Sequence, residues 1–110
     1  MVKVVTLPVD ESELNVLAEA IGGFYIKAVV DLEKRIMAAG AKMHVDEEQM
    51  LIEKGSNKDN LWGGGYDLET KQVTYDSIIN NKPGSNASSD ILDPEIRRKF
   101  KIIIKELLKV

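Results

Sequence analysis

Phe24-Tyr25-Ile26-Lys27-Ala28-Val29-Val30-Asp31-Leu32-Glu33-Lys34-Arg35-Ile36-Met37-Ala38-Ala39 decides the fold, because it carries two competing periodicities. As a strand pair, Ile26, Ala28, Val30 and Leu32 share one face while Lys27, Val29, Asp31 and Glu33 share the other. A turn at Lys34-Arg35 then returns Ile36-Met37-Ala38-Ala39 alongside. As a helix, Val29, Leu32, Glu33 and Ile36 share a face, which sets a carboxylate in the apolar stripe. The hairpin is favoured, although its turn lacks the glycine or asparagine that a two-residue turn prefers.

On the N-terminal side, Val2-Lys3-Val4-Val5-Thr6 is short, β-branched and followed by Pro8, a first strand. Asp10 precedes Glu13 by three residues, the spacing of a capping box, and Leu14, Leu17, Ala18 and Ile21 follow as one helical stripe. Gly22-Gly23 ends that helix. On the C-terminal side, Asp46-Glu47-Glu48-Gln49 reads as a second capping box, with Val45 and Met50 as its hydrophobic staple and a short helix running to Lys54 before Gly55. Tyr66-Asp67-Leu68 and Val73 to Ile79 flank Glu69-Thr70-Lys71-Gln72 as a hairpin, and pairing Leu68 with Val73 sets Tyr66 opposite Tyr75. Asp93, Pro94 and Glu95 open a last helix whose Ile96, Phe100, Ile103 and Leu107 form a continuous apolar face. Ile102, Ile104 and Leu108 widen that face, a surplus that calls for deep burial or a partner. The expected fold is therefore α+β, ordered strand-helix-hairpin-short helix-hairpin-helix, with a largely antiparallel sheet against the N-terminal and long C-terminal helices.

With 110 residues, 44% hydrophobic and 30% charged, the chain is expected to form a single domain, 1–110, around one core. No apolar run approaches the ~18 residues of a membrane span, and residues 1–20 show no basic-then-apolar leader, so a cytoplasmic protein without membrane contact is expected. The absence of cysteine excludes disulfides and thiolate chemistry, and one histidine excludes a multi-histidine metal site. Charge is uneven. Residues 94–110 carry six basic and two acidic side chains, a net of +4, within a chain of net −3. A basic helix on an acidic body suits nucleic acid, but no free aromatic interleaves its bases, and a solvated helix back is preferred.

Three constellations carry candidate chemistry. His44-Val45-Asp46-Glu47-Glu48, joined by Asp31 and Glu33 if the hairpin forms, suits a divalent cation or an acid–base pair. The same residues have structural readings: Asp46 as a cap, Glu47 and Glu48 as first-turn acids, His44 as the end of a strand. The structural reading is preferred, so Asp31, Glu33, His44, Asp46 and Glu48 stand as a candidate cluster with no metal and no cofactor assigned. Trp62 before Gly63-Gly64-Gly65 suggests a pocket floor walled by Trp62 and Tyr66, or, preferred, a core tryptophan followed by a bulged or irregular strand. Asn80-Asn81-Lys82-Pro83-Gly84-Ser85-Asn86-Ala87-Ser88-Ser89 offers donors before a helix N-terminus, but Asp90, Asp93 and Glu95 oppose an anion there, and a flexible solvated loop is preferred. Trp62, Tyr66, Tyr75, Asn80 and Lys82 are the candidate ligand-binding residues.

Taken in order, Val29-Val30-Asp31-Leu32-Glu33-Lys34, His44-Val45-Asp46-Glu47-Glu48, Glu53-Lys54-Gly55-Ser56, Leu61-Trp62-Gly63 and Ile78-Ile79-Asn80-Asn81-Lys82-Pro83 resemble a family of small, uncharacterised prokaryotic proteins classed only as a domain of unknown function. The resemblance runs from about residue 2 into the final helix. The family pattern pairs His-x-Asp-x-Glu with Gly-Ser, Trp-Gly, and an Asn-x-Arg-Pro loop followed by Gly-Asn-Arg-Ser. Here Lys82 replaces the first arginine, Ser85-Asn86-Ala87-Ser88 lacks the second, and further glycines follow Trp62-Gly63. The loss of both guanidinium forks argues against anion binding by this loop. The resemblance implies no activity. The leading reading is a non-enzymatic binding or regulatory protein, a homo-oligomer joined through the last helix or a sheet edge. The alternatives are a metal-assisted or acid–base enzyme using His44, Asp46, Glu48 and Asp31, and nucleic-acid binding by the basic helix.

Overall fold

The computed structural model, which describes residues 2–110, orders the chain as β1 (Lys3–Val5), α1 (Glu11–Ala18), β2 (Tyr25–Asp31), β3 (Ile36–Ala39), α2 (His44–Glu53), β4 (Leu61–Asp67), β5 (Gln72–Thr74) and α3 (Pro94–Leu108). All strands pair antiparallel in one sheet, ordered β1-β3-β2-β4-β5. The α+β expectation and the hairpin over 24–39 both hold. Because β2 is central and covered on both faces, Ile26 and Ala28 to Asp31 are all buried, which is why its sequence is apolar almost without alternation. On one face Ile26, Ala28, Val30, Trp62 and Tyr66 meet α1 and α3; on the other Val29, Ala38, Leu61 and Ile79 meet Leu51 of α2.

The caps explain where the helices lie. Asp10 accepts the Glu13 amide at 2.8 Å while the Glu13 carboxylate accepts the Asp10 amide, the expected box. Asp93 accepts the Glu95 amide and Pro94 occupies the first turn of α3. In α3, Phe100, Ile103, Ile104, Leu107 and Leu108 are all buried, so the apolar surplus resolves as deep burial and Ile102 is the exposed remainder. The second capping box does not form. α2 begins at His44, two residues before Asp46, with Met43 as an N-cap that makes no side-chain bond. The earlier start turns His44, Glu47 and Leu51 onto the buried face. The helix still ends before Gly55, which takes φ 98°.

Both hairpin turns are four residues long, and both are built alike. Asp31 accepts the amides of Glu33 and Lys34 on Oδ1, while Asp67 accepts those of Glu69 and Thr70. In each, the fifth residue of Asp-Leu-Glu-x-Lys/Arg closes the turn with positive φ, 56° at Arg35 and 61° at Lys71, and donates its amide to the aspartate carbonyl. This corrects two expectations. The first turn spans 32–35 rather than Lys34-Arg35 alone. The second begins at Leu68, which sets Tyr66 opposite Val73 instead of Tyr75. The glycines bring a third correction: β4 continues in unbroken register from Leu61 opposite Asp31 to Asp67 opposite Tyr25, with no bulge. A Cβ on Gly64 would lie 2.1 Å from the Thr74 carbonyl oxygen and 2.9 Å from Phe100, so neighbours fill the space that side chains leave.

Candidate functional site

β5 ends at Thr74, not Ile79. Beyond it the chain leaves β4 and pairs with 89–91: Ser77 N–H donates to Ser89, Ile91 N–H donates to Tyr75, and Asp76 bridges Asp90. The departure strips Gly63 of a strand partner on that side, and glycine carries no side chain to cover the exposed backbone. One side chain takes the strand's place. Asn80, fully buried, accepts the Gly63 amide at 2.8 Å and donates to the Gly63, Tyr75 and Ser89 carbonyls. His44 Nε2 lies 2.6 Å from the Gly64 carbonyl oxygen, so this nitrogen carries the proton and donates. Asn86, also buried, ties the rest of the loop to the Asn80, Ser88 and Asp90 carbonyls and to the Leu92 amide. Residues 80–89 are therefore pinned at Asn80 and Asn86 rather than freely solvated, which corrects the flexible-loop reading. The asparagines satisfy backbone groups that would otherwise be buried without partners.

The same departure opens a cleft of about 710 Å³ between the N-terminus of α2 and the segment after β5. Its floor and sides come from Tyr25, Lys27, His44, Thr74, Asp76, Ser77 and Ser89, its mouth from Met43, Val45 and Ile78. Tyr25 and Thr74 hydroxyls are bonded at 2.5 Å, and Lys27 donates to the Lys42 carbonyl. Burial holds the His44 pKa below its ordinary 6.5; Lys27 pushes the same way, while the Gly64 bond and Asp76 pull upward. At neutral pH the ring is uncharged, with Nε2 the donor and Nδ1 the acceptor. Beneath it, Glu47 is fully buried and accepts the Ala41 amide on Oε2, while its Oε1 has no partner. Burial pushes its carboxyl up to about 9, so it holds a proton at neutral pH. The cleft floor thus presents neutral donors and acceptors beside one lysine and one aspartate.

The candidate cluster is dispersed. Asp31 is buried three strand positions beyond Ala28, about 10 Å along β2 from the pair that His44 reaches, with Oδ2 accepting from Ser56 at 2.7 Å. Glu33 accepts from Asn60. Asp46 is exposed in the first turn of α2, and Glu48, half-buried, has an Oε2 without a partner. Among the described residues, no three histidine or acidic side chains are grouped closely enough to hold a metal ion. Of the candidate ligand-binding residues, Trp62 and Lys82 come together: the ammonium lies 4.9 Å from the ring centroid and donates to the Lys58 carbonyl. Tyr66 is buried in the core, and Tyr75 packs between Phe100 and Arg97. Tyr25, Lys27, Thr74 and Asp76 were absent from the sequence-based site, and Glu47 stood in its motif only as a first-turn acid. A signal existed for Glu47: a helix counted from His44 places 44, 47 and 51 on one face. None existed for Asp76, which joins the cleft only because β5 stops early.

A family model described as "Protein of unknown function (DUF5674)" matches residues 3–107. No curated protein and no solved structure matches the chain.

Proposed function

The chain belongs to the DUF5674 family of proteins of unknown function, and we propose that it is a non-enzymatic binding protein whose ligand, a small molecule with polar and apolar parts, occupies the cleft beside His44. One observation carries this reading: Met43, Val45 and Ile78 stand 57%, 42% and 76% exposed around a polar floor. Exposed apolar groups rimming a polar recess mark a contact surface, because water gains when a ligand covers them. The floor supports binding over turnover. Its imidazole donates a hydrogen bond from Nε2 to the Gly64 carbonyl, Asp31 and Glu33 are engaged in turn and side-chain bonds elsewhere, Asp46 is exposed, and Asp76 lines the cleft with the ring. Self-association through α3 or a sheet edge has less behind it, since α3 buries its apolar residues in its own core and both edge strands have three residues. Amide NMR spectra recorded against pools of small amphiphilic metabolites test the proposal. Binding should move the resonances of Met43, His44, Thr74 and Ile78 together, and Ile78→Ser should weaken it. Pools that shift other surfaces and leave these four unmoved contradict it.

A further inference from the structure

The two matched hairpin turns end in cations that meet different company. Arg35 reaches Glu106 of α3 at 3.1 Å. Lys71, in the same position of the second turn, faces Lys101 and Lys105, one helical turn apart on α3, around a concavity of about 240 Å³ that also takes in Gln72 and Tyr75. Lys3, Arg35 and Arg98 each have an ion-pair partner among the described residues, whereas Lys71, Lys101 and Lys105 have none. Three ammonium groups lining one recess repel one another, and an anion between them relieves that repulsion. The recess has room for about eight waters, enough for a compact anion. The aromatic ring that lines the recess, Tyr75, already holds the Arg97 guanidinium 4.0 Å over it and packs against Phe100, so a nucleobase stacking there has to displace Arg97. This recess shares no residue with the His44 cleft.

We propose that Lys71, Lys101 and Lys105 form a binding site for a diphosphate-type anion, whose three charges near neutral pH match the three ammonium groups. Gln72 adds an amide donor, and the lysines act as point charges on the oxyanions. The probe is inorganic pyrophosphate, titrated into the full chain at low ionic strength and followed by calorimetry and amide NMR. It should shift the amides of Lys71, Gln72 and Val73, and Lys101→Gln or Lys105→Gln should each weaken binding about tenfold while leaving the melting profile intact. Lys99→Gln removes the same charge from the same helix outside the recess and should change affinity less than about twofold. The proposal is overturned if millimolar pyrophosphate leaves those amides unmoved, or if Lys99→Gln weakens binding as much as Lys101→Gln. A single-stranded oligonucleotide that binds through these lysines where pyrophosphate does not also overturns it, and assigns the surface to a nucleic-acid backbone.

Discussion

Replacing Glu47 with glutamine should stabilise the protein, and the gain should grow with pH. The carboxyl titrates near 4.5 in the unfolded chain and near 9 in the fold, because burial outweighs the Ala41 amide and Lys27. Between those values the folded chain holds a proton that the unfolded chain has released, so stability falls by about 1.4 kcal/mol for each pH unit of increase. By pH 7 the group costs about 3 kcal/mol relative to one that never ionises. Glutamine keeps an oxygen for the Ala41 amide but sets an NH2 where Oε1 has no partner, which offsets about 1–2 kcal/mol of the gain. His44 acts in the opposite sense: its lowered pKa means the unfolded chain takes up a proton first, so its contribution is lost as pH falls below about 6.5. Lys82, also lowered by burial, opposes Glu47 toward the alkaline end. The readout is therefore the difference between wild type and Glu47→Gln, from urea unfolding at pH 7.0 and 8.5. That difference should widen by about 2 kcal/mol between the two. A constant difference, or a variant less stable at both pH values, refutes the reasoning and means that Glu47 is ionised and paired in the fold.

Five further substitutions test the scaffold. Asn80→Ala strands the Gly63 amide and carbonyl inside the protein and should lower unfolding free energy by about 3–5 kcal/mol in chemical denaturation. Gly64→Ala drives a Cβ into Thr74 and Phe100 and should cost about 2–4 kcal/mol, whereas Gly84→Ala, with φ 82° in open space, should cost about 1 kcal/mol by the same measurement. On α3, Ile104→Ala should cost about 2–5 kcal/mol while Ile102→Ala stays within about 1 kcal/mol, a contrast that thermal melts resolve.

Sequence reasoning reached the fold wherever a residue's job is local. Asp10 with Glu13, and Asp93 with Pro94, mark helix starts because capping is settled within one turn of chain. The apolar stretch from Ile26 to Val30 forms a strand because both of its faces are apolar enough to be covered. It failed where a long-range partner decides. Asp46-Glu47-Glu48-Gln49 has the capping spacing, yet burial of His44, Glu47 and Leu51 against the sheet starts the helix earlier. The repeated Asp-Leu-Glu-x-Lys/Arg turns were legible in principle, since the same side-chain-to-amide bonds recur in both. Asn80 and Asn86 look like loop formers because asparagine usually is one; only the early end of β5 creates the buried backbone groups they serve. The cleft was hidden for the same reason, being made by a strand that stops.

His44 is a neutral side chain that donates a hydrogen bond from Nε2 to the Gly64 carbonyl at the cleft floor. Long-range proton–nitrogen NMR of the imidazole tests this directly, and with one histidine in the chain the signals need no assignment. The expected result at pH 7 is a neutral ring, protonated on Nε2 and bare on Nδ1, with a titration midpoint below 6.5. A ring that is charged at pH 7, or protonated on Nδ1 instead, contradicts it.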